Sequence, residues 1–205
     1  PDPYLDIDSG DADFSTYVAM GEGITAGMTD NSLFMAGQMN SYPNIMAGVM
    51  SMAGGGEFTQ PYTNDNVGGM LVGGNQVWGP RLFFNGAGPA TVSGNISNEA
   101  TSTMPGPYNN MAFPFVNGIH MVAPGYGSLA GLAAGAANPW FVRSASSDGA
   151  TVLGDAAGQM PSFATVMPGN DFYAYAAFGA SGGGGTMLDL TSPQGMLVGV
   201  GATLQ

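Results

Sequence analysis

At 205 residues, 44% of them apolar, the chain is long enough to bury one sizeable core, and its composition is that of a globular protein rather than a disordered one. The 14 acidic residues against two basic ones, Arg81 and Arg143, give a net charge of −12, which argues against nucleic acid as a partner because phosphate binding relies on clustered Lys and Arg. Cysteine is absent, which excludes a disulfide framework and a thiolate metal site, and no run of about 20 uninterrupted apolar residues offers a membrane-spanning helix.

Pro1 to Ala12 is acidic and turn-rich and reads as an exposed leader; residues 13–205 read as one domain. Tyr17 to Met20 predicts a short buried strand. The glycines at 21 and 23 let the backbone turn sharply after it, and Thr25 to Met28 can open a helix. In an open α/β sheet such a loop lies at the carboxyl edge of the strands, where unpaired helix N–H groups can meet a negatively charged atom. By itself, a strand followed by Gly-x-Gly is more often a plain turn.

Farther along, Ser41 predicts a helix cap with Pro43 in the first turn. Ile45, Met46, Val49 and Met50 then share one helical face, the spacing of core packing. Glu57 to Pro80 is polar and Gly-rich and reads as an insertion loop. Arg81 to Phe84 predicts a strand or hairpin arm closed by Asn85-Gly86. Asn95-Ile96-Ser97 has the form of a glycosylation acceptor but reads as a surface turn. Leu129 to Ala137 predicts a tightly packed helix ended by Asn138-Pro139, and Thr151 to Gln159 a helix with Val152, Leu153 and Ala156 on one side. Phe163 to Met167 predicts a buried strand that runs into Pro168-Gly169-Asn170-Asp171.

Several of these stretches share a pattern. Asp13 to Gly27, D-F-S-T-Y-V-A-M-G-E-G-I-T-A-G, is close to D-F-S-x-Y-V-A-L-G-N-S-L-T-A-G, and the match continues through Asp30, Ser32-Leu33, Ala36-Gly37-Gln38 and Asn40 to Ile45. Asn109 to Pro114 is close to the start of N-N-L-G-V-P-G, His120 to Gly127 to H-L-x-A-P-G-Y-G, and Ala137 to Ser147 to A-N-P-Y-F-x-R-F-A-S-S. Together they resemble the SGNH/GDSL hydrolases, in particular their Bacteroidetes surface-lipoprotein branch, over roughly Asp13 to Gly179.

The resemblance implies a three-layer, flavodoxin-like α/β fold with a parallel sheet, of which this chain would carry an N-terminal portion. It implies hydrolysis of an ester or acyl bond through a serine acyl-enzyme. The nucleophile position falls on Gly23, which has no side chain to attack with. Two oxyanion contributors fall on Ala112, through its backbone N–H, and Asn170, through its side chain, the latter from a block close to G-N-N-D. His120 is the only histidine; it aligns with a non-catalytic position of the family, so a structural or pocket-lining role is expected, and the family's D-x-x-H block is not found among these residues.

Two readings follow from the resemblance. One is an esterase or lipase-like protein acting on an ester-containing small molecule, lipid or glycan. The other is a catalytically inactive binding or accessory subunit at the cell surface, beside an outer-membrane transport protein. A third, from composition alone, is a Gly-rich structural surface protein with no pocket near Gly23, Ala112 and Asn170. No cofactor and no metal is expected, since the acidic residues lack spaced His or Cys companions.

Overall fold

A computed structural model describes residues 7–106, 108–159, 173–175 and 187–189. In chain order the elements are strand β1 (Ala19–Gly21), helices α1 (Gly23–Ala26), α2 (Met35–Met39) and α3 (Tyr42–Met52), strands β2 (Met70–Val72), β3 (Asn75–Trp78), β4 (Leu82–Phe84), β5 (Pro89–Thr91) and β6 (Asn110–Ala112). A 3-10 turn over Gly118–Val122 follows, then α4 (Leu129–Ala133), α5 (Pro139–Ser144), α6 (Val152–Gly158), β7 (Tyr173–Tyr175) and β8 (Met187–Asp189).

The architecture is mixed α/β. β1 and β6 pair in parallel, Ala19 opposite Asn110, Met20 opposite Met111 and Gly21 opposite Ala112. The other described pairs, β2–β3, β4–β5 and β7–β8, are antiparallel ribbons. All six residues of the parallel pair are buried, as a strand covered on both faces must be. Helices α1 and α6 both pack against it. The core around it joins Met20 and Met111 to Phe113, Val116, Met121, Tyr126, Trp140 and Phe141, with Val152, Leu153 and Ala156 supplied by α6 as the sequence spacing predicts.

Buried amides hold the pair to its surroundings. Asn109 donates through Nδ2 to the Tyr17 carbonyl (2.9 Å) and accepts at Oδ1 from the Thr59 N–H (3.1 Å) and hydroxyl (2.8 Å). Asn110 donates through Nδ2 to the Thr25 carbonyl (3.1 Å) and Gln60 Oε1 (3.0 Å), tying α1 to β6. At the end of α1, Gly27 takes φ 87° and lies so close to α2 that a Cβ there would stand 2.6 Å from the Gly37 carbonyl oxygen. Both conditions require glycine.

Four expectations are corrected. Ile45, Met46 and Val49 are not core: they are 57%, 42% and 52% exposed, and α3 buries Pro43 and Ala47 instead. The helix is apolar nearly all round, so periodicity could not choose its inward face. Polar ties do so, the Tyr42 hydroxyl lying 3.1 Å from Thr25 Oγ1 and the Ser41 hydroxyl donating to Gln60 Oε1 (3.4 Å). Ser41 occupies the N-cap position but makes no side-chain cap bond. The stretch 57–80 is not a plain loop, because it folds the β2–β3 hairpin over a Gly73-Gly74 turn, and Glu99 accepts both of those N–H groups. The helix from Leu129 stops at Ala133 and buries none of its residues. Asn138-Pro139 opens a helix rather than only ending one: Asn138 Oδ1 accepts from the Trp140 N–H (3.0 Å) and Phe141 N–H (3.2 Å), an N-cap with Pro behind it.

Two outcomes test this core. Asn110→Ala leaves the buried Thr25 carbonyl without its donor and is expected to cost about 1–3 kcal/mol, read as a lower urea midpoint at unchanged m-value. Tyr17 stacks on Phe58 at 5.1 Å, and burial, with the neighbouring Tyr42 adding to it, pushes its phenol up from 10.0 to about 12. The folded state thus holds a proton that the unfolded chain releases first. The associated stability is full below pH 10.0 and is lost as pH rises toward about 12. Alkaline unfolding followed by circular dichroism should show this loss in the native chain, and Tyr17→Phe, which keeps the stack, should flatten it.

Candidate functional site

The turn after β1 opens onto a cleft of about 490 Å³ lined by Glu22, Gly23, Ile24, Met28, Thr29, Asp30, Asn31, Trp78 and Phe115. Its floor is the first helical turn. One wall is the turn Thr29–Ser32, in which Asp30 (φ 51°) and Asn31 (φ 61°) both take positive φ and Thr29 and Ser32 exchange backbone hydrogen bonds (3.1 and 2.9 Å). That is the geometry of a type I′ turn, which Asp and Asn tolerate better than most residues.

The aromatic part of the lining comes from two distant stretches. Trp78, the last residue of β3, is held by its indole N–H donating to the Asn31 carbonyl (2.7 Å). The base of its hairpin is fixed by Ser32, whose hydroxyl donates to the Gly79 carbonyl (3.1 Å) and accepts from the Gly69 N–H (2.7 Å). Phe115, three residues beyond β6, lies with its ring 4.7 Å from Trp78 and 5.7 Å from Trp140. Its φ is 66°, an uncommon conformation for a bulky residue, and its side chain is 42% exposed. Backbone strain of this kind is characteristic of functional clefts.

Of the three positions expected at the site, Gly23 lines the cleft and is the first residue of α1. Its backbone is outside the left-handed region, so its conformation does not demand glycine. The nearest side chain to a Cβ built there is that of Met28, 3.3 Å away at Sδ and 3.4 Å at Cβ. Ala112 is opposite Gly21 in the parallel pair and 3% exposed. Ala19 donates to the Asn109 carbonyl (2.8 Å) and Phe113 to the Gly21 carbonyl (3.2 Å), whereas Asn110 donates outward to Thr59 (3.0 Å). By that alternation the Ala112 N–H points away from β1. Asn170 and the Phe163–Met167 strand lie outside the described residues.

Phe115 is the residue of this stretch that reaches the cleft, at the position where N-N-L-G-V-P-G has its last glycine. No sequence signal marked its positive φ. Trp78 had no sequence signal, because its hairpin was hidden in a Gly-rich run. His120 is not among the lining residues. Its ring stacks on Tyr126 at 4.5 Å, and its Nδ1 accepts from the Asn117 N–H (3.4 Å) in a capping box at the start of the 3-10 turn.

The electrostatics of the cleft are one-sided. Glu22 and Asp30 line it, and Glu22 Oε2 is buried without a hydrogen-bond partner. Neither arginine lines it. Arg81 lies over the Phe34 ring at 5.0 Å and donates to the Asn66 carbonyl (2.7 Å), while buried Arg143 donates to the Tyr62 carbonyl and Asn64 Oδ1 (2.9 Å each).

A pair of variants isolates the strain at residue 115. Phe115→Ala and Phe115→Gly both remove the ring, but only glycine is at ease at this φ. The Gly variant is expected to be more stable than the Ala variant by about 1–2 kcal/mol in denaturant melts, the reverse of their order in a strand or helix interior. Compared with protein-family models, curated proteins and solved structures, the chain matches none.

Proposed function

We propose that this protein is a ligand-binding member of the SGNH/GDSL type, built on that family's three-layer sheet, whose cleft at Gly23 holds an ester-bearing molecule without cleaving it. The observation that carries the reading is Gly23 itself: it lines a formed cleft at the end of a parallel strand, and it offers no hydroxyl there. The only histidine is engaged with Tyr126 and Asn117, and among the described residues that line the cleft there is no serine nucleophile and no imidazole base. What remains is recognition through aromatic faces, backbone groups and two carboxylates. In this reading the protein serves at the cell surface as an accessory subunit, and an outer-membrane transport protein is its expected neighbour.

The hydrolase reading is kept by one further fact. The ordinary backbone of Gly23 and the flexible Met28 beside it leave room for a side chain, so a serine would fit with a small shift of the thioether.

Quenching of tryptophan fluorescence by short aryl esters, with turnover followed in the same samples, tests both readings. The native chain is expected to show saturable quenching and no hydrolysis above buffer. Hydrolysis by the native chain would overturn the binding reading, and absence of quenching would remove ester recognition altogether. Gly23→Ser is expected to fold within about 1 kcal/mol of the native chain. If the architecture is that of a hydrolase, turnover appears in Gly23→Ser and not in Gly23→Ala.

A further inference from the structure

We infer that the molecule this cleft takes carries an organic cation, an alkylammonium group held in the space that Trp78, Phe115, Glu22 and Asp30 line. The inference rests on the reading of the cleft as a ligand site and names the chemistry that site selects.

Three observations lead to it independently. The first is the aromatic wall. Trp78 and Phe115 meet at 4.7 Å with their planes tilted by 53°, and Trp140 backs them at 6.3 and 5.7 Å. Aromatic residues lining a cleft suit a compact alkylated cation, which is attracted by the negative face of a ring open to it. The indole N–H of Trp78 is already spent on the Asn31 carbonyl, so the ring offers its π surface rather than a donor.

The second is uncompensated charge. Glu22 Oε2 is sealed from solvent with no donor, although buried polar atoms are almost always paired. Asp30 lines the same cleft, and both arginines are committed elsewhere. A cation in the cleft would supply the missing counter-charge, and a neutral ligand would not. The third is the whole molecule: a net charge of −12 with no lysine raises the local concentration of cations and repels anions.

An alternative with the same aromatic contacts is a sugar ring, laid flat against the indole. The cleft favours the cation because two of the four polar residues that line it, Glu22 and Asp30 beside Thr29 and Asn31, are carboxylates.

The experiment uses the full chain and three probes: choline, its neutral carbon isostere dimethylbutanol, and methyl glucoside. Binding is read by quenching of the two tryptophans and by calorimetry. Choline is expected to bind, with the neutral isostere weaker by roughly tenfold or more, and choline affinity should fall as salt is raised. Glu22→Gln, which keeps the shape of the side chain, is expected to weaken choline by roughly tenfold while leaving the isostere unchanged. Trp78→Leu should weaken both, and the melting temperature of each variant is measured alongside to separate lost binding from lost folding. Equal binding of choline and the isostere would overturn the inference, as would an unaltered affinity in Glu22→Gln, binding of methyl glucoside in preference to choline, or no binding of choline. Ester turnover is not involved in any of these readouts, so the inference and the proposed function fail separately.

Discussion

The pairing of β1 with β6 is the constraint on which the rest depends. These strands are three residues long, and they bring together segments about ninety residues apart in the chain. Backbone hydrogen bonds alone are a small return for closing a loop of that length. The additional stabilisation comes from what flanks the pair: Met20 and Met111 inside the core, and the carboxamides of Asn109 and Asn110 reaching from β6 to Tyr17, Thr59, Thr25 and Gln60. A carboxamide both donates and accepts, so it can join irregular backbone that no ladder reaches.

The same device recurs wherever loops are buried. Gln38, 2% exposed, donates to the Pro61 carbonyl and accepts from the Thr63 N–H and hydroxyl. Asn98, fully buried, accepts from Asn64 and donates to Gly69. Asn138 caps α5 and at the same time donates to the Pro114 carbonyl and Tyr126 hydroxyl. The Gln38 and Asn98 contacts tie the Gly-rich stretch 57–80, which carries Trp78, to the rest of the chain. A cleft wall can therefore stand on a segment with little regular structure, provided its polar groups are satisfied.

The cleft joins three parts of the chain, each shaped by a different local rule. The glycine turn after β1, a type I′ turn through Asp30 and Asn31, and the hairpin end with strained Phe115 each contribute to its lining. The chemistry follows from what is present there: π faces and carboxylates, with no hydroxyl at residue 23. Such a surface discriminates ligands by charge and shape, which is the basis of both proposals for this protein.

The sequence by itself determined the elements whose signals are local. A strand over Ala19 and Met20, though shifted toward Gly21 from the expected Tyr17–Met20, the helix beginning at Ser41, the hairpin arm closed at Asn85-Gly86 and the inward face of Val152, Leu153 and Ala156 all follow from composition and spacing within a few residues. Gly23 was likewise marked by the turn around it. Tertiary structure alone decided what depends on partners far along the chain. It turned the apolar stripe of α3 outward, because a helix apolar on every side is oriented by its few polar ties. It brought Trp78 across to Asn31, and it set Phe115 rather than Ala112 at the cleft. Periodicity reports which residues share a face, but which face is covered is settled by the hydrogen bonds and packing of segments that meet only when the chain has folded.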